Sequence, residues 1–153
     1  MSNLAAFLKE EDLLSEGAWT HELAFALGEH IFKKSQTKSL VVAVAIFYEN
    51  QRVYQAAIAG TSANNDEWIT RKVNTVQLTQ HSSIALRKKV DALGIQEEEL
   101  GFHAGYLAVC GGGYPLKKNG KLIGIAIVSG LPHEEDHSLI VESLTEFRKE
   151  RSW

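Results

Sequence analysis

The sequence predicts an α+β fold in which helices pack against a mostly antiparallel sheet of about five strands. Three observations carry that expectation. Residues 40–48 and 122–128 are short, almost wholly apolar runs, the first rich in β-branched residues, as strands covered on both faces require. Asn119-Gly120, set between lysines, is a strong hairpin signal, because a type I′ turn needs positive φ at both positions. Helical periodicity fills the intervals between the strand groups.

Taken in order, residues 4–14 predict a short helix with Leu4, Phe7, Leu8 and Leu14 on one edge, Asn3 as its cap and Gly17 beyond its end. A second helix is expected over 19–34. Leu23, Leu27 and Ile31 repeat every four residues beside Ala24, Thr20 offers an N-cap, and Lys33 and Lys34 suit the negative end of the helix dipole. Strand 40–48 then turns through Glu49-Asn50-Gln51 into a returning strand over 52–59. A polar linker, 60–65, leads to one long helix capped by Asn65 or Asp66 and closed by Gly94. Its apolar stripe, Ile69, Val73, Val76, Ile84 and Val90, is interrupted at residues 80–83. Arg71, Asn74, Leu78 and His81 share another face by the three-and-four rule.

Residues 95–102 read as a loop with one helical turn through the three Glu, and 106–110 as a short strand. Gly111-Gly112-Gly113 then implies a bulge, a tight bend or a close approach of backbone or ligand, and Pro115 assigns the next strand to an edge or bulge. After strand 122–128, Ser129-Gly130 forms a stop. Pro132 fits a first helical turn, and Glu134, Glu135 and Asp136 match the positive end of the dipole. Ile140, Leu144 and Phe147 supply the buried face of this last helix.

With 153 residues the chain is expected to form one domain, with its core over about 19–150 and residues 1–18 as a helical extension. The net charge of -3 argues against a general nucleic-acid binder, which needs a basic surface to release counterions. No apolar run reaches the roughly 20 residues of a bilayer span. The first residues lack the basic start and apolar run of a signal peptide, and the lone Cys110 fits a reducing compartment. The expected location is the cytoplasm.

Several stretches invite chemistry, and each also has a plain structural explanation. His133-Glu134-Glu135-Asp136-His137 matches H-E-x-x-H, yet it opens a helix on an acidic, exposed turn and lacks a downstream third His, so we read it as a dipole-matched helix start. The triple glycine could present N–H groups to an anion, but it lacks the P-loop pattern and precedes a strand, which favours a structural bulge. Cys110 could be a soft metal ligand or reactive thiol, or a small hydrophobe. His81, beside Ser82-Ser83, could face a cavity as a base or ligand, and Arg71-Lys72 could meet an anion. No nucleophile, base and orienting group assemble from spacing alone.

The run 111–144 resembles the C-terminal half of the HbpS/GlcG-like family. The resemblance is carried by Gly112-Gly113-Tyr114-Pro115, Ile123-Gly124, Val128-Ser129-Gly130 and Asp136, with Lys72, Val73 and Thr75 similar to the family's helix upstream. The variant Ser129-Gly130-Leu131-Pro132 followed by Asp136-His137 is similar to a small cytosolic branch of that family found in bacteria and fungi. The resemblance covers about residues 38–150. It implies a profilin-like three-layer α/β/α fold, homo-oligomerisation and, for some members, binding or degradation of haem. Two functions follow. The first is a small-ligand or cofactor module, haem among the candidates, with Arg71, Lys72, His81, Cys110, Gly112, Gly113, Ser129 and Gly130 as its binding residues. The second is a non-catalytic oligomeric scaffold, with haem degradation or another enzymatic activity as a minor alternative.

Overall fold

A computed structural model of the chain describes residues 3–153, apart from the Asn3 side chain; the expected Asn3 cap lies outside that description. Helix α1 spans Asn3–Leu14 and α2 spans His21–Thr37. The hairpin β1 (Ala43–Tyr48) and β2 (Gln51–Ala57) precedes α3 (Ala63–Thr79) and α4 (Ser83–Leu93). A 3-10 turn over Glu97–Leu100, the hairpin β3 (Gly113–Lys118) and β4 (Lys121–Ser129), and α5 (His133–Glu150) complete the chain.

The four strands form one antiparallel sheet in the order β2-β1-β4-β3, so the two apolar runs lie side by side at its centre. Ala43 pairs with Ser129 and Tyr48 with Gly124 across β1 and β4. Successive side chains point to opposite faces. Val42, Val44, Ile46, Tyr114, Leu116, Ala126 and Val128 meet α2 and α5 in the larger core, together with Trp19 and Phe147. Ala43, Ala45, Ile125 and Ile127 meet Ile69 and Val76 of α3 in the smaller one. The layering is therefore α/β/α, and the small Ala43 and Ala45 give α3 close access to the sheet.

The local signals explain the elements. Thr20 caps α2 by accepting from Leu23 N at 3.1 Å. Asn119-Gly120 turns with φ of 54° and 76°, and Glu49-Asn50 makes a second such turn with 49° and 65°, so β2 begins at Gln51. Pro115, lacking an N–H, lies on edge strand β3 as expected. Ser62 rather than Asn65 or Asp66 caps α3, with Asn65 closing a capping box from the third helical position. Pro132 is the N-cap of α5, just ahead of its first turn.

Two further expectations are corrected. The long helix is two. Gln80 takes φ 64° and ends α3, while the Thr79 hydroxyl accepts from His81 N and helps turn the chain. Helix α4 restarts under a carboxylate from α1: buried Glu11 accepts from Ser82 N at 2.7 Å, placing negative charge at a helix N-terminus. Among the described residues the sheet also has four strands, not about five. Residues 106–110 form no strand because side chains of α3 and α4 already satisfy their backbone. Thr75 Oγ1 accepts from Ala108 N and donates to Ala108 O, both at 2.9 Å, while Arg71 Nε donates to Leu107 O and Asn74 to Tyr106 O.

The outer edge of β3 is occupied by the segment after α1. Lys117 N donates to Ser15 O at 2.8 Å and Gly17 N donates to Lys117 O at 3.0 Å. Glu16 accepts from Asn119 N and Gly120 N at the hairpin tip. Glu10 and Glu11 bind His137 and His81, each at 2.8 Å. Helix α1 and the segment after it are thus fastened to the sheet edge, to α4 and to α5.

Candidate functional site

Three segments converge on a cleft of about 280 Å³. The first turns of α3 bring Asn64, Asn65, Trp68 and Lys72, the glycine corner brings Cys110, and the junction of β4 and α5 brings Ser129, Gly130, Leu131, His133 and Asp136. Asn65 ties the segments together, since its Nδ2 donates to Ser129 O at 3.3 Å and to Ser129 Oγ at 3.1 Å.

At the base lies an ion pair. Lys72 Nζ is 3.1 Å from Asp136 Oδ2 and donates to Val128 O at 2.8 Å, and both side chains are about 97% buried (3% exposed). Asp136 also accepts from Leu131 N at 2.9 Å through Oδ1 and from Gly130 N at 3.4 Å through Oδ2. Burial pushes the Asp136 carboxyl above its ordinary range, and Lys72 and the two backbone N–H groups oppose that rise. The glycines make room for the pair. A Cβ on Gly112 would lie 2.4 Å from both Lys72 Nζ and Val128 O, and one on Gly111 would lie 2.5 Å from His133 O. Close approach, one of the options the triple glycine left open, is the one realised, with a backbone and a buried ammonium as the neighbours.

His133 is oriented by the same corner. Its Nδ1 accepts from Gly111 N at 2.9 Å, which assigns the ring proton to Nε2. His137, four residues on, is buried and held at Nε2 by Glu10 at 2.8 Å. The two imidazoles of the H-E-x-x-H run therefore serve separate neighbours, and among the described residues no group of three or more His, Cys, Asp or Glu is placed to hold a metal ion. Cys110 is half-buried, and its thiol is pushed up, chiefly by burial, with Lys72 and Arg71 pulling the other way. It stays protonated at neutral pH and is a weak nucleophile in that state.

Four of the eight expected site residues, Lys72, Cys110, Ser129 and Gly130, line this cleft. Arg71 flanks it, its guanidinium 3.9 Å from the ring centre of Trp68 and its Nε on Leu107 O. Gly112 and Gly113 pack behind Lys72 and Ser83 rather than facing the opening. His81 lies elsewhere, paired with Glu11 under α1, so the polar stretch at 80–83 marks a helix break and forms no wall of the cleft. Asp136, Asn65 and His133 were missed as site residues. One signal for the buried pair was available: Ile69, Lys72 and Val76 lie on one helical stripe, and a lysine on an apolar stripe calls for a buried counter-charge. A second depression of about 270 Å³ at the β1–β2 turn is lined by Phe47, Glu49, Asn50 and residues 122–125, and Glu49 is the sole titratable group among these.

The chain as a whole is similar to known proteins. A family model described as haem degrading protein HbpS-like matches residues 19–145. The chain belongs to the HbpS-like family. It is 35% identical over 144 residues to a UPF0303 protein of Yersinia enterocolitica, covering 91% of this chain and 84% of that one. Among solved structures, the Ybr137w protein superposes with a TM-score of 0.88 at 26% identity, covering 97% of this chain and 90% of that chain. PduOC, solved as a complex with haem, superposes with a TM-score of 0.68 at 20% identity over 84% of this chain and 94% of that chain, a likeness of fold. HbpS-like matching begins at Trp19, so helix α1, with Glu10 and Glu11, lies outside the matched span. No helix among the described residues is long and apolar enough to cross a membrane.

Proposed function

We propose that this HbpS-like protein is a cytosolic, self-associating module that binds a small ligand or cofactor in the cleft between α3, the Cys110 corner and the start of α5. The observation that carries the reading is the convergence there of a buried ammonium, Lys72, with the side chains of Ser129, Cys110, His133 and Trp68. A concavity with a few convergent polar groups beside an aromatic side chain is a ready place for a small domain to hold a ligand. The family description and the haem complex of PduOC make haem the first ligand to test.

The residues present suit only part of haem. Lys72 and its neighbours suit a propionate carboxylate. The iron is less well served. The Nδ1 lone pair of His133 is engaged by Gly111, its Nε2 carries the proton, and the Cys110 thiol is held protonated. Titration with micromolar haem tests the reading. A Soret shift that survives His81→Ala is expected, because His81 is outside the cleft; absence of any shift would sink the haem version. Absorbance and mass spectrometry of the protein purified from its native source would then identify the ligand.

A second reading, a non-catalytic scaffold, is favoured by one feature. Strand β2 ends the sheet, and beside it Phe25 is 42% exposed and packs edge-on to Tyr54. Sedimentation that gives a large oligomer with no retained ligand would favour it, and a monomer would count against it. Haem degradation, or another catalysis, rests on the family description alone.

A further inference from the structure

We propose that the cleft recognises a carboxylate carried on a small, flat, apolar body, with Lys72, Ser129 and His133 as donors and Trp68 as the wall; this rests on the reading of the cleft as a ligand site. Three side chains of the cleft hold hydrogens that their neighbours leave unused. Lys72 has three N–H hydrogens and uses two, on Val128 O and Asp136. Ser129 Oγ accepts from Asn65 Nδ2, and its own hydrogen finds no acceptor among the described residues. His133 accepts at Nδ1 from Gly111, and its Nε2–H has no partner among the described residues.

The acceptors, by contrast, are engaged. Both oxygens of Asp136 receive hydrogen bonds, from Leu131 N on one side and from Lys72 and Gly130 N on the other. Asn65 Oδ1 accepts from Ser62 N. Apart from the exposed Asn64 amide, whose side chain makes no hydrogen bond among the described residues, a ligand entering this cleft meets unsatisfied hydrogens and few free lone pairs, which favours a ligand that brings acceptors. Charge acts in the same direction. The first turns of α3 and α5 both border the cleft, so the positive ends of two helix dipoles converge on it, and Arg71 stands beside it over Trp68. Asp136 balances Lys72; of the other carboxylates in those first turns, Asp66 accepts from Gln55 and Glu134 pairs with Lys88, while Glu135 is exposed, so the dipoles and Arg71 favour at most a single negative charge. A carboxylate offers two oxygens able to accept from several donors at once.

Size and lining set the rest of the ligand. The volume of about 280 Å³ is just below the range of about 300–1,000 Å³ typical of drug-sized ligands. Trp68 provides an aromatic surface stiffened by the guanidinium of Arg71, 3.9 Å from its ring centre. An aromatic monocarboxylate, or one propionate arm of haem, has the required chemistry.

Calorimetric titration of the full chain with benzoate and benzamide, and with haem and haem dimethyl ester, tests this and separates the two sources. Saturable binding of benzoate with benzamide about tenfold weaker or more is expected, each of Ser129→Ala and His133→Asn weakening benzoate by about five- to tenfold. His133→Asn keeps an oxygen near the Nδ1 position for Gly111 N and removes the Nε2 donor, and a thermal melt confirms that each variant is folded. If benzoate does not saturate but haem binds, is weakened by the same variants and loses binding as its dimethyl ester, the carboxylate is a propionate and the proposal stands. If haem and its ester bind equally while benzoate does not bind, the carboxylate site is overturned and the ligand-binding reading survives. If no probe binds, the carboxylate site and the haem version both fall.

Discussion

Replacing Lys72 by Met isolates the energetics at the base of the cleft. Lys72 and Asp136 are 3.1 Å apart and each is only 3% exposed. The substitution keeps the aliphatic stem and removes the ammonium, leaving Asp136 with its two backbone donors and no counter-charge, and Val128 O without the donor from Lys72. Breaking a buried pair by removing one partner costs about 3–5 kcal/mol. The residual bonds from Leu131 N and Gly130 N hold the expected loss near the lower end, about 3 kcal/mol. Urea unfolding at pH 7.5 measures it.

The pH dependence gives a second readout. Burial already raises the Asp136 carboxyl in the native chain, with Lys72 opposing. Without Lys72 the folded-state carboxyl rises further above its unfolded value, so the folded variant binds a proton that the unfolded chain does not. Its stability relative to wild type then increases as pH falls through that raised range. The double variant Lys72→Met, Asp136→Leu should recover most of the loss at neutral pH, since both charges are then gone. A loss below about 1 kcal/mol, or a deficit that widens on acidification, would refute the assignment of a desolvated, mutually dependent pair.

Three other perturbations follow from the same structure. Gly112→Ala sets a Cβ against Lys72 Nζ and the backbone of Val128 at a residue with φ of 121°; a loss of about 2–4 kcal/mol is expected by thermal melting. Glu11→Ala removes the buried acceptor of Ser82 N and the partner of His81 and should cost about 2 kcal/mol, with faster hydrogen exchange concentrated in α1 and the start of α4. Cys110, its thiol pushed up by burial, should alkylate more slowly than a free thiol at pH 7.5, its rate rising only at higher pH; a rate equal to that of free cysteine would contradict the burial described.

What could be read from the sequence was what neighbouring residues decide. Thr20 capping, the Asn119-Gly120 turn, the apolar strands 40–48 and 122–128 and Pro115 at an edge are short-range physics, and each is found in the fold; that the two apolar strands pair with each other was not legible. The interrupted stripe at 80–83 was visible, but a break at Gln80 was not decided by it, because glutamine is an ordinary helix former and the turn is set by Thr79 and by Glu11 from another helix. The fifth strand failed for a related reason. Residues 106–110 have strand-like composition, yet Thr75 and Arg71, about 33 to 36 residues earlier in the chain, satisfy the backbone that a neighbouring strand would have paired. At the site, residue type pointed to Lys72, Cys110, Ser129 and Gly130, whereas the partner of Lys72 lies 64 residues away and among three acidic residues of which one is buried.

The segment from Ser15 to Gly17 has a practical consequence. HbpS-like matching starts at Trp19, and a chain trimmed to that boundary would lose the two backbone hydrogen bonds that Ser15 and Gly17 make with Lys117. It would also uncover His137 and the buried Tyr114 beside it. The outer rim of β3 would become an open template for another extended chain, the ordinary starting point of aggregation. Where recombinant material is shortened at residue 19, poor solubility would then reflect an unmasked strand rim and would say nothing about the ligand.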